Sequence, residues 1–114
     1  MLKSQQRLRN NRDFIKVFKR GKRHSFGGIL LSYTPNKLDY TRIGFVISKK
    51  FSPLAVRRNW QRRVLQSAMR SLYPNLKPGF DIIISYTNRN KVLPYRDALS
   101  ILTELFTKTN LIDS

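Results

Sequence analysis

From Lys49 to Arg70 the chain places seven basic residues, Lys49, Lys50, Arg57, Arg58, Arg62, Arg63 and Arg70, with no aspartate or glutamate among them. The chemistry open to such a run is phosphate recognition, because a guanidinium offers two parallel N–H donors that match two phosphate oxygens. A merely solvated helix face usually interleaves glutamate with its cations. Unrelieved like charge destabilises an isolated helix by about 0.2–0.5 kcal/mol per i,i+4 pair. A stretch that tolerates this repulsion is best explained by a polyanion that neutralises it.

Hydrolytic chemistry finds no comparable support. His24 is the only histidine, and the six carboxylates, Asp13, Asp39, Asp81, Asp97, Glu104 and Asp113, are spread along the chain. Two-metal phosphodiester cleavage needs carboxylates that converge on ions about 3.5–4 Å apart. No local pair offers that, and Asp13 and Asp97 sit where the first turns of helices are expected. No catalytic residue and no metal ligand is therefore assigned.

The charge run belongs to a chain of 114 residues with 23 Lys plus Arg against 6 Asp plus Glu, a net charge of +17. That length suits one domain, taken as residues 1–114, and 40% hydrophobic residues can fill a core. Nucleic acid is the first partner such a charge suggests and an anionic membrane surface the second. There is no cysteine, hence no disulfide and no thiolate zinc site. No apolar run approaches the roughly 18 residues of a membrane span. Residues Met1 to Arg12 are polar and basic, without the apolar core of a secretory signal. The cytoplasm is the expected compartment.

The elements that must position these residues follow from periodicity. A helix is predicted from about Arg12 to Arg20, capped by Asn11, stopped at Gly21, with Phe14, Val17 and Phe18 on one face. Strands are predicted over Ile29–Thr34 and Ile43–Lys49, and His24–Gly28 either extends the first or adds a short one. Ser52 and Pro53 open a second helix that runs to about Leu72 and breaks in the Tyr73–Gly79 segment. Phe80–Tyr86 reads as a strand buried on both faces, and Pro94 opens a last helix that buries Leu99, Leu102, Leu105 and Phe106. This order makes an α/β (α+β) sandwich, one small sheet covered by helices.

Projected at about 100° per residue, the second helix gathers Val56, Trp60, Val64, Leu65, Ala68 and Leu72 in one half. Arg58, Asn59, Arg62, Arg63 and Arg70 fall in the other, with Arg57 alone on the apolar side. Trp60 is thus expected in the core.

Ile47-Ser48-Lys49-Lys50, Ala55-Val56-Arg57-Arg58-Asn59 and Arg62-Arg63 together resemble the Arg-Asn-Arg signature of the bacterial ribonuclease P protein family. The segment Arg7 to Gly21 resembles that family's first helix, Arg42-Ile43-Gly44-Phe45 its third strand, Asp81 to Ile84 its fourth and Leu99 to Leu105 its last helix. The chain departs from the pattern at Trp60, which stands in place of the second signature arginine. Gln66 and Tyr86 stand where basic residues are frequent, and the loop from Lys50 to Ala55 is one residue longer.

The resemblance implies an αβββαβα order around a mixed sheet, with a left-handed crossover between parallel strands. It implies the protein subunit of a ribonucleoprotein endoribonuclease whose catalytic centre is an RNA. Lys49, Lys50, Arg57, Arg58, Asn59, Arg62 and Arg63 would dock on that catalytic RNA. Phe14, Phe18 and Tyr33, with Arg9, Arg12 and Lys16, would hold the single-stranded 5′ leader of precursor tRNA, since aromatic platforms beside cations suit unpaired bases. No cofactor is implied for the protein, magnesium is expected with the RNA, and neither a membrane nor a small-molecule substrate is expected. The rival reading is a ribosomal or other structural RNA-binding protein.

Overall fold

Gly27 and Gly28 take φ of 60° and 86°, the left-handed conformation that reverses a chain within two residues. They close a hairpin in which β1 (Lys22–Phe26) pairs antiparallel with β2 (Ile29–Pro35), Phe26 opposite Ile29. The run around His24 is therefore a strand of its own. The computed structural model describes residues 2–112. Its other elements are α1 (Asn11–Arg20), β3 (Arg42–Ile47), α2 (Ala55–Leu72), β4 (Phe80–Tyr86) and α3 (Tyr95–Lys108), with short 3-10 turns at Ser4–Gln6 and Tyr73–Asn75.

The strands form one sheet in the order β1-β2-β4-β3, with β3 parallel to β4 and the other pairs antiparallel. The expected αβββαβα order and mixed sheet are present, and α2 is the crossover between the parallel neighbours. Alternation along the strands divides the interior in two. On one face Ile29, Leu31, Ile43, Ile82, Ile84 and Tyr86 pack against α2 and α3. On the other, Ile83 meets Leu8 and Val17, with Phe14 packed beside them. The apolar run of β4 is buried on both sides for this reason.

Local ends differ slightly from expectation. Asn10, not Asn11, caps α1: its side-chain oxygen accepts the Arg12 N–H at 2.9 Å. Gly21 caps the C-terminal end of this helix, and a side chain there would press into the carbonyl oxygens of Val17 and Tyr33. Helix α2 begins at Ala55 instead of Pro53, because the Ser52 hydroxyl accepts the Leu54 N–H at 3.2 Å and holds Ser52-Pro53-Leu54 as a turn. The last helix buries Leu102, Leu105 and Phe106, with Leu99 half-buried. Among the described residues no helix is long and apolar enough to cross a membrane.

Candidate nucleic-acid interface

The arginine helix is rotated relative to the sequence expectation. Its buried stripe is Gln61, Leu65, Ala68, Met69 and Leu72. Gln61 lies fully inside and exchanges hydrogen bonds with both backbone groups of Leu93. Trp60, one residue and hence about 100° away around the axis, is 48% exposed, and Val56 is 77% exposed. The expected packing of Trp60 and Val56 in the core is corrected accordingly. A glutamine whose amide meets a backbone donor and acceptor can be buried at little net cost, and it occupies the place that hydrophobicity alone assigned to tryptophan.

This rotation spreads the basic residues over the outward surface and both flanks. Asn59 and Arg63 are exposed, while Arg57, Arg58 and Arg62 are half-buried at the flanks. The Arg57 guanidinium lies over the Phe51 ring, 5.6 Å from its centroid. Arg58 Nη1 donates to the Ser52 carbonyl at 3.0 Å, and Arg62 Nη1 donates to Asn59 Oδ1 at 2.6 Å. Lys49 and Lys50 are exposed in the turn after β3, where Ser48 Oγ accepts the Lys50 N–H at 3.0 Å.

No motif or spacing in the sequence points to Arg89. It joins Lys49, Lys50 and Asn90 around a groove of about 370 Å³. No spacing rule connects residues 49 and 89. They meet because Ile47 and Tyr86 are register partners in β3 and β4. Tyr86, one of the departures from the pattern that the resemblance sets, is a core residue here. Its ring lies 5.7 Å from that of Phe51 and its hydroxyl donates to the Lys91 carbonyl at 2.7 Å, anchoring the loop that carries Arg89. Burial pushes its phenol above the ordinary 10.0.

The aromatic set divides between the two faces of the sheet. Phe14 is half-buried on the α1 side, and Phe18 is 37% exposed, with ring centroids 6.5 Å apart. Tyr33 packs instead with the core under α2 and α3, edge-on to Phe80 at 6.3 Å. Tyr33 therefore does not lie on the face of the sheet that carries Phe14 and Phe18, with which the resemblance grouped it. Neighbouring residues of a strand point to opposite faces, so the β2 residues on the α1 side are Leu30, Thr34 and, between them, Ser32. The Ser32 Oγ is buried without a hydrogen-bond partner. Arg9, Arg12 and Lys16 are exposed, and Arg9 Nη2 donates to Ser4 Oγ at 3.1 Å.

One cleft brings members of the two candidate sets together, Phe14 and Arg9 with Arg62. The Arg7–Leu8 segment lies along β3, with the Leu8 N–H donating to the Ile43 carbonyl at 2.9 Å. Between this segment and α2 opens a space of about 230 Å³, bordered by Arg9 and Phe14 on one side and Arg62 and Gln66 on the other. Gly44 forms part of its lining, and a side chain at that position would stand 2.5 Å from the Phe14 ring. An aromatic ring and guanidiniums from two elements thus face a common groove.

The carboxylates lie elsewhere. Arg42 donates through Nε and Nη2 to the two oxygens of Asp81 at 2.9 and 2.7 Å, and its Nη1 reaches Asp13 at 3.3 Å. Asn36 donates to the same Asp81 at 2.9 Å. The Asp81 hydrogen bonds, against some desolvation, hold the guanidinium pKa above its usual value. Asp13 thereby ties α1 to the sheet as well as sitting in the first helical turn. Asp39, Asp97 and Glu104 are exposed, as is His24, and Glu104 pairs with Lys108 at 3.6 Å. Asp113 falls outside the described residues. Among the described residues no three His, Asp or Glu side chains gather as a metal site.

Comparison with known proteins bears on the fold and the family. The Thermotoga maritima RNase P protein superposes with a TM-score of 0.78 at 29% identity, covering 95% of this chain and 98% of that one. The Staphylococcus aureus RNase P protein superposes with a TM-score of 0.84 at 22% identity, covering 95% and 98%, and so shares the fold. The ribonuclease P protein component of Pseudanabaena is 35% identical over 98% of this chain and 97% of its own length. The family model described as Ribonuclease P matches residues 2–110, and the chain belongs to that family.

Proposed function

We propose that this chain is the RNA-binding subunit of a ribonuclease P, an endoribonuclease whose catalytic centre lies in its RNA. It supports removal of the 5′ leader from precursor tRNA. The observation that carries the reading is the cationic outward surface of α2, continued by Lys49, Lys50 and Arg89 and free of any acid from Lys49 to Arg70. Arginines so placed suit the phosphates of the catalytic RNA. The groove between Phe14 and Arg62, together with exposed Phe18, Arg12 and Lys16 on α1, suits a single strand: aromatic faces take bases while cations follow the backbone. Magnesium, on this reading, is held by the RNA, and the protein works in the cytoplasm.

The test compares precursor tRNA with leaderless tRNA bound to the reconstituted holoenzyme. Phe18→Ala should weaken the leader-bearing substrate by about 1–3 kcal/mol, one lost stack, and leave leaderless tRNA unaffected. Tyr33→Ala, on the opposite face of the sheet, should leave the preference for a leader intact. A folded Phe18→Ala protein that keeps the full preference would refute the leader assignment.

A further inference from the structure

Beside the arginines, α2 exposes an apolar surface that phosphate contacts do not use. Trp60 and Val56, with Val92 at 41% exposure, line a groove of about 380 Å³ whose floor is the buried Phe51 ring. Arg57 borders it, its guanidinium over that ring at 5.6 Å from the centroid. Tryptophan is a costly residue to leave half in water. The Gln61 to Leu93 hydrogen bonds fix the helix rotation that puts it there.

We propose that this groove receives an unpaired nucleobase of the same RNA whose phosphates follow the arginines of α2, with Trp60 as the stacking platform. The inference rests on α2 facing RNA, and it adds a base-binding subsite to that face. Charge decides the occupant. Every lining residue comes from a stretch, residues 49–92, whose only carboxylate is Asp81, and Asp81 is buried against Arg42. A second copy of this chain would bring a net charge of +17 against +17, a repulsion that one small apolar groove does not offset. A polyanion built of flat aromatic units satisfies both the cationic rim and the apolar floor.

Trp60 is the only tryptophan, so its emission reports on this groove alone. The experiment titrates the full chain with the in vitro transcribed ribonuclease P RNA of the same organism. It records emission, then affinity across a salt series for wild type, Trp60→Phe, Trp60→Ala and Arg63→Ala. Emission should be quenched at saturation. Trp60→Ala should bind roughly tenfold more weakly, the scale of one lost stack, with an unchanged slope of log affinity against log salt. Trp60→Phe should retain most of the affinity, and Arg63→Ala should flatten the slope. The emission change needs no variant and therefore decides the matter even if Trp60→Ala melts early. Unchanged emission on a saturated wild-type complex, or undiminished binding by folded Trp60→Ala, would overturn the nucleobase subsite and leave the RNA-binding reading standing. Failure of the wild type to bind this RNA at all would overturn that reading, and the subsite with it.

Discussion

Gln61 and Leu93 exchange two hydrogen bonds of 2.9 Å, the side-chain amide donating to the Leu93 carbonyl and accepting from the Leu93 N–H. Both residues are buried, and the pair locks α2 to the segment that enters α3. Gln61→Leu would strand two interior backbone groups, each at a cost of about 1–3 kcal/mol. Urea unfolding should show a loss of at least about 2 kcal/mol for this variant. Trp60→Ala should lose less than about 1 kcal/mol, in keeping with a half-exposed ring. The opposite ranking would mean that α2 is rotated the other way.

Arg42 joins α1, β3 and β4 through Asp13 and Asp81. Asp81→Asn would remove the charge that faces a partly buried guanidinium. The expected cost is about 2–3 kcal/mol, below the 3–5 kcal/mol of a fully buried pair because Arg42 retains contact with water. Asp13→Asn, with its longer and more exposed contact, should cost under about 1 kcal/mol. Chemical denaturation of the two variants checks the order.

Tyr86 supplies a pH dependence. Burial raises its phenol pKa above 10.0 in the folded protein, so the unfolded chain releases that proton first. The stability it contributes is therefore complete below about pH 10 and declines as pH rises through the folded-state value. Tyr73 acts in the same direction, mainly through burial. Lysines also titrate there, so the informative quantity is the difference between wild type and Tyr86→Phe. Urea midpoints at about pH 8 and about pH 11 should show a shallower alkaline loss in the variant, and parallel losses would contradict the burial argument.

The exposed cations should act on RNA affinity without acting on stability. Arg63→Ala and Lys49→Ala should each leave unfolding within about 0.5 kcal/mol of wild type. Each should reduce the slope of log affinity against log salt by somewhat under one unit, as expected when one phosphate contact is lost. Arg89→Ala should behave in the same way if its groove with Lys49 and Lys50 faces the RNA. Binding measured at several salt concentrations would show this.

Much of the architecture was legible in the residues because local periodicity encodes it. The spacing of Phe14, Val17 and Phe18, the apolar run of β4 and the stripe of α3 each place an element within a residue or two of where it folds. The location of the arginine helix was legible for the same reason. Its rotation was not, because Gln61 reads as a surface residue until its partner is known, and that partner lies 32 residues onward. Tyr33 was misplaced by the simplest property of a strand. A shift of one residue exchanges faces, and only the register of β2 against β4, Ser32 opposite Ile83, tells which residue meets α1. Arg89 is not legible in the sequence because parallel pairing of β3 and β4, invisible to any local window, delivers it to Lys49 and Lys50.

The most direct test of the whole account is cleavage of precursor tRNA at low magnesium by the cognate ribonuclease P RNA alone, by this protein alone, and by the two combined. The protein alone should cut nothing. The combination should remove the 5′ leader at a single position much faster than the RNA does unaided. Cleavage by the RNA-free protein, or an RNA whose rate does not change when saturating protein is added, would contradict it.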